Sequence, residues 1–173
     1  FGFYDPEVVT QMVAAGVGAT VTVELGGKLP MPALSEQSKT ISLTGEEKLI
    51  SKGKFQAQVA MSRGLTINMG VSAVLSVGKV DIAIISRHIE PYDPECLRSL
   101  GMEPLAYDYV MLKSRIHYRV GFRELAKQVI ECAGRGVCTS DYRQLTFEKV
   151  RRPIFPLDQD GSGANEAWTL PET

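Results

Sequence analysis

A chain of 173 residues, 44% apolar and 23% charged, is long enough to bury a core of its own and has the balance of a soluble globular domain. Nineteen basic residues against 20 acidic ones leave a net charge of −1, which excludes the basic footprint of a nucleic-acid or anionic-membrane binder. No apolar run approaches the roughly 18 residues needed to span a bilayer, so no membrane segment is expected.

Asp5-Pro6-Glu7 reads as a helix start: an N-cap acceptor, a proline at the first helical position and an acid in the positive first turn. Val9, Met12 and Val13 form its apolar stripe, and Gly16 supplies the stop. From Ala19 to Leu25 the chain alternates strictly, with Ala19, Val21, Val23 and Leu25 on one face of a half-buried strand. Residues 26–40 carry Gly, Pro and Ser without periodicity and read as a loop. Short strands are expected at Ile41–Leu43, Lys48–Ser51, Phe55–Met61 and Leu65–Asn68.

Two apolar runs, Val71–Val77 and Val80–Ile85, flank Gly78-Lys79. Glycine at the first central position suits a type II′ turn, so a hairpin over 71–85 is expected in the middle of a sheet. Asp93-Pro94-Glu95 repeats the helix-start pattern, with Leu97 and Leu100 inward and Gly101 as terminator. Tyr109–Leu112 reads as a buried strand, which would make the connection from the 80–85 strand a right-handed parallel crossover. Residues 123–131 begin with helical spacing, with a turn into a strand before Gly134 as the alternative. After Asp158 the composition becomes polar, and residues 159–173 are expected to be a disordered tail.

Cys96, Cys132 and Cys138 are an odd set without CxxC spacing, which points to a reducing compartment. Cys132 and Cys138 are close enough in sequence to bridge a loop, but free, buried thiols are expected. The chain opens on Phe1 without an initiator methionine, and the natural N-terminus is expected to lie upstream.

The stretch Lys113-Ser-Arg-Ile-His-Tyr-Arg-Val-Gly-Phe122 is the richest in chemistry. It sets a cation, a hydroxyl, one of two histidines and a second cation within seven positions, at the end of an expected strand. Extended backbone would turn Lys113, His117 and Arg119 to one face; a helix would still bring Lys113 and His117 together. The competing reading makes His117 a capping or packing residue. Gly16-Val-Gly18 follows a helix and precedes a strand, the reverse of the dinucleotide fingerprint. No HExxH or G-x-S-x-G motif is present. A metal site from His88, His117 and Asp93 would need three loops to coincide, and no metal is expected in this chain.

Taken in order, these segments resemble the C-terminal domain of the MlrC family, named for a microcystin-degradation protein. The likeness runs through Tyr4-Asp-Pro-Glu-Val-Val9, Ala15-Gly-Val-Gly-Ala-Thr20, Leu25-Gly-Gly-Lys28 and Gly70–Gly78. It continues through Lys113-Ser114, His117-Tyr118-Arg119 and Phe122, and closes on Arg152-Pro-Ile-Phe-Pro-Leu-Asp158, with Tyr118 where Phe is usual. The resemblance implies a cytoplasmic, bacterial zinc-dependent peptidase or amide hydrolase whose metal ligands belong to a larger N-terminal domain.

The expected protein is therefore an MlrC-like C-terminal domain over residues 1–158. Its fold class is α/β or α+β, a mixed sheet with a few short flanking helices. Its partner would be its own N-terminal metal-binding domain, with zinc there and no cofactor here, and its substrate a peptide or small amide. His117 and Lys113 are the expected catalytic residues, and Arg119 and Ser114 the expected substrate contacts. The rival readings are a structural or oligomerisation module, such as one half of a homodimer, and a stand-alone small-molecule binding domain.

Overall fold

In the computed structural model, which describes residues 1–34, 38–132, 134, 138–139 and 141–158, the first helix starts where its cap chemistry places it. Helix α1 runs Pro6–Ala15, and the Asp5 carboxylate accepts from the Val8 N–H at 3.2 Å. Gly16, at φ 87°, ends it by donating its N–H to the Met12 carbonyl. Val8, Val9 and Met12 are buried. Val13 is exposed rather than inward, because the stripe centres on the i,i+4 pair Val8 and Met12 and Val13 falls at its edge.

The strands in chain order are β1 (Phe3–Tyr4), β2 (Thr20–Leu25), β3 (Ile41–Ser51), β4 (Lys54–Gln56), β5 (Thr66–Asn68), β6 (Ser72–Val77) and β7 (Val80–Ile85). Five of them form one sheet in the order β1-β7-β6-β3-β2, and β4 and β5 pair separately. The large sheet is mixed: β1 runs parallel to β7, with Phe3 opposite Ile84, and the other pairs are antiparallel. Among the described residues the α-helices besides α1 are the short α2 (Glu95–Arg98) and α3 (Arg119–Phe122), and the class is α+β.

The 71–85 hairpin forms as β6 and β7 and lies inside the sheet, with β1 and β3 outside it. Gly78 has φ 61° while Lys79 after it does not have positive φ, which is the type II′ requirement. Alternation sends successive residues of these strands to different sides. Ala73, Leu75 and Ile84 join Val8, Val9, Met12, Val21, Val23 and Leu25 under α1. Val74, Ala83 and Ile85 face a second cluster with Phe55, Met69, Cys96, Leu97, Leu100 and Phe122. Fully burying each Leu, Ile or Met contributes roughly 1.5–3 kcal/mol, so the sheet is held from both faces.

Several expectations change. Ile41–Leu43 and Lys48–Ser51 belong to one continuous strand, because the polar residues between them pair with β2 on one side and β6 on the other. Of the expected 55–61 strand only Phe55 and Gln56 lie in β4, which pairs with β5; Ala57 then turns, exchanging hydrogen bonds with Gly64 and Leu65. Tyr109–Leu112 is not a buried strand: Tyr109 is 87% and Met111 65% exposed, at the margin of the fold, so no buried parallel crossover follows β7. Residues 123–131 continue neither as helix nor as strand. Cys96 is buried, but Cys132 and Cys138 are exposed, and all three are free.

The chain divides into two compact units, 1–29 with 38–131 and 30–37 with 132–173. The first holds both core clusters, the two sheets and the helices α1, α2 and α3. In the second, Leu34 bridges Leu145, the Thr146 N–H donates to the Ala33 carbonyl at 2.7 Å, and Arg152 pairs with Asp158 across the proline-rich motif. The tail over 159–173 lies outside the described residues.

Candidate functional site

The chemistry-bearing segment leaves extended backbone at Ser114 and turns into α3. Ser114 sets that turn locally, its hydroxyl oxygen accepting from the Tyr118 N–H at 3.0 Å. Two residues hold α3 down. Phe122 enters the core beside Phe55, and Gly121 lets the helix approach the loop before α2. A Cβ at Gly121 would meet Pro94 Cδ at 2.5 Å and the Tyr92 carbonyl oxygen at 2.6 Å.

The group that organises the site is Glu90, in the loop after β7. Its Oε1 accepts from Ser114 Oγ at 2.5 Å and its Oε2 lies 2.7 Å from His117 Nδ1. Burial works against the charged carboxylate, but the Ser114 hydroxyl and the His117 ring outweigh it and hold Glu90 below the usual carboxylate range. A carboxylate on Nδ1 fixes the ring's orientation and turns Nε2 into the nitrogen available to a ligand. Ser114 is engaged as a donor to Glu90 and an acceptor from Tyr118, so it has the hydrogen bonding of a brace rather than of a base-activated nucleophile.

Lys113 and Arg119 do not share that direction. The Lys113 ammonium lies over the Phe3 ring, 5.7 Å from its centroid, while its backbone N–H donates to the Phe1 carbonyl. Arg119 pairs with Glu131 and stacks at 5.7 Å over Tyr118, whose hydroxyl also donates to Glu131. The common face expected for Lys113, His117 and Arg119 is thus not formed. The backbone turns between Ser114 and Arg119, which breaks period two, and Lys113 precedes the turn, so no i,i+4 contact to His117 arises.

His88 packs edge-on to Tyr4, 5.3 Å between ring centroids, away from any ligand set. Asp93 is buried and accepts from the backbone N–H groups of Gln58, Val59 and Glu95. Among the described residues no three His, Cys, Asp or Glu side chains converge as metal ligands, so the residues present do not fit a zinc site. Two sequence motifs meet elsewhere: Asp5, itself buried, takes Lys28 Nζ at 3.0 Å and the Gly26 N–H at 3.2 Å, and Lys28 also reaches Glu7. Burial opposes charge on Lys28, yet the two carboxylates raise its pKa, and this cluster ties α1 to the end of β2.

Fold and site together define a small α+β domain that presents an imidazole braced by a carboxylate and a hydroxyl. The family model described as MlrC C-terminus matches residues 1–149, and the chain belongs to that family. The Arg152–Asp158 motif falls beyond the matched residues. The chain is 26% identical over 155 residues to Microcystinase C of Sphingomonas sp, covering 90% of this chain and 28% of that protein. It shares its fold, at a TM-score of 0.79 and 22% identity, with a crystal structure of a proposed metallopeptidase from Mesorhizobium sp. BNC1. That likeness covers 90% of this chain and 30% of the other, so the chain spans under a third of either relative's length.

Proposed function

We propose that this domain works as the C-terminal part of a longer, zinc-dependent amide hydrolase acting on a peptide or small amide in the cytoplasm. The observation that carries the reading is the Glu90-braced His117 in a member of the MlrC C-terminus family. The domain would form one wall of a cleft whose metal ligands lie on an N-terminal domain, where zinc would supply carbonyl polarisation and an activated water.

On this wall His117 is the residue proposed to touch substrate. Glu90 accepts from Nδ1–H, so with the ring protonated an Nε2–H would donate to the oxygen on which charge develops as the amide carbonyl is attacked. Ser114 and Glu90 are positioning residues, because their polar atoms are spent on each other and on the turn. Lys113 adds a positive charge on the same segment, and Arg119 could take a substrate carboxylate only by exchanging it for Glu131. The similarity to Microcystinase C suggests microcystin as the first substrate to try. Among the described residues no helix is long and apolar enough to cross a membrane.

The test is release of new amino groups from a mixture of linear and cyclic peptides by the longer polypeptide and by residues 1–173 alone. Chelator-sensitive hydrolysis by the longer form only is the expected result. Hydrolysis by the isolated domain, or none by the zinc-loaded longer form across the mixture, would overturn the reading.

A further inference from the structure

Two backbone hydrogen bonds tie Phe1 to the extended segment ahead of the site. The Phe1 amino group donates to the Met111 carbonyl at 2.6 Å, and the Lys113 N–H donates to the Phe1 carbonyl at 3.2 Å. One residue bonded to both neighbours of the residue opposite is the repeating unit of a parallel ladder, and the residue opposite is Leu112. The side chains agree. Phe1 and Leu112 pack into the same cluster, as paired residues of a ladder must. Alternation then turns Tyr109 and Met111 the other way, and these are the two large side chains left 87% and 65% exposed. Among the described residues the Met111 N–H has no backbone partner.

We propose that residues 109–112 are a sixth strand at the β1 edge, completed by polypeptide attached ahead of Phe1 that pairs with it in parallel. In that register the second residue before Phe1 accepts from the Met111 N–H and donates to the Tyr109 carbonyl. The added strand covers an apolar edge that would otherwise be open to unwanted pairing. Two observations favour this occupant over a second copy. The relatives are several times longer than this chain, and the ladder already has its register set by Phe1 itself. Burial also lowers the pKa of the Phe1 amino group, whereas a peptide N–H in its place has no charge to desolvate. The inference rests on the reading that the domain belongs to a longer polypeptide, and not on what that polypeptide hydrolyses.

The experiment is amide hydrogen exchange by NMR on residues 1–173 in three forms: unmodified, N-terminally acetylated, and extended ahead of Phe1 by Thr-Val-Thr-Val. Acetylation removes the charge without supplying the second residue, so it separates electrostatics from pairing. The expected result is Met111 exchange slowed about 5-fold or more in the extended form relative to the acetylated one, the scale of one net backbone hydrogen bond. Lys113, already paired, and Leu75, in the sheet centre, should keep their rates. Equal Met111 rates in the two forms would overturn the proposal. So would concentration-dependent protection of Met111 in the unmodified chain, which would give the edge to a second copy. The readout needs neither metal nor substrate, so a failed hydrolase reading leaves it standing or falling on the ladder alone.

Discussion

Replacing Glu47 with methionine should stabilise the domain, and by an amount that depends on pH. Glu47 sits on β3 opposite Leu75, is fully buried, and neither carboxylate oxygen has a hydrogen-bond partner among the described residues. Its backbone is satisfied by Ala19 and Gly18, so the side chain alone is at issue. A buried polar group left unpaired costs about 1–3 kcal/mol, and an unpaired charge would cost more. Burial accordingly raises the Glu47 pKa. The unfolded chain releases this proton near pH ~4.3, while the folded chain keeps it to higher pH. Between those values the folded state binds more protons, so the wild-type stability falls as pH rises through the window and levels off above the folded pKa. Glu47→Met has similar length and no polar atoms. Urea unfolding of residues 1–173 should show it about 1–3 kcal/mol more stable at pH 7, with a smaller gain at pH 4 and an unchanged denaturant slope. A variant no more stable at pH 7, or a gain that does not vary with pH, would refute the reasoning.

Glu90 should show the opposite pH dependence. Its pKa is held below the usual range, so its contribution is present above about pH 4.3 and is lost as pH falls through the folded value; Glu90→Gln should flatten the acid limb of a urea-midpoint profile. Gly121→Ala forces a methyl into Pro94 and the Tyr92 carbonyl and should destabilise by roughly 1–3 kcal/mol, read as a lower melting temperature. An unchanged melting temperature would mean that α3 does not pack there. Thiol titration should find Cys132 and Cys138 reacting quickly and Cys96 only after unfolding, because burial foremost, with Asp93 nearby, pushes the Cys96 thiol up to about 12.

The elements legible in the sequence are those with local causes. Asp5-Pro6 caps its own helix, Val21, Val23 and Leu25 bury by simple alternation, and Gly78 makes its own turn. Strand β3 was not legible as one piece, since its middle, Thr44-Gly-Glu-Glu-Lys48, is polar and is held extended by neighbours on both sides. The apolar run Tyr109–Leu112 looked buried because composition cannot distinguish a central strand from an exposed edge. The site was half legible. Ser114 and His117 stood out among the chemical groups of one segment, but Glu90, which joins them, lies 24 and 27 residues away. Its one local signal was position, in the same loop beyond β7 as His88. The tertiary turn that separates Lys113 and Arg119 from His117 left no mark in the spacing.

The most direct measurement of the proposed role is kcat/KM for peptide hydrolysis by the longer polypeptide carrying His117→Ala, alongside its melting temperature and metal content. Loss of an oxyanion donor should lower kcat/KM by ~10²–10³ with zinc retained and the melting temperature nearly unchanged. Glu90→Gln, which loosens the ring without removing it, should fall between wild type and His117→Ala. Unchanged kcat/KM in folded, zinc-loaded His117→Ala would contradict the role assigned to His117.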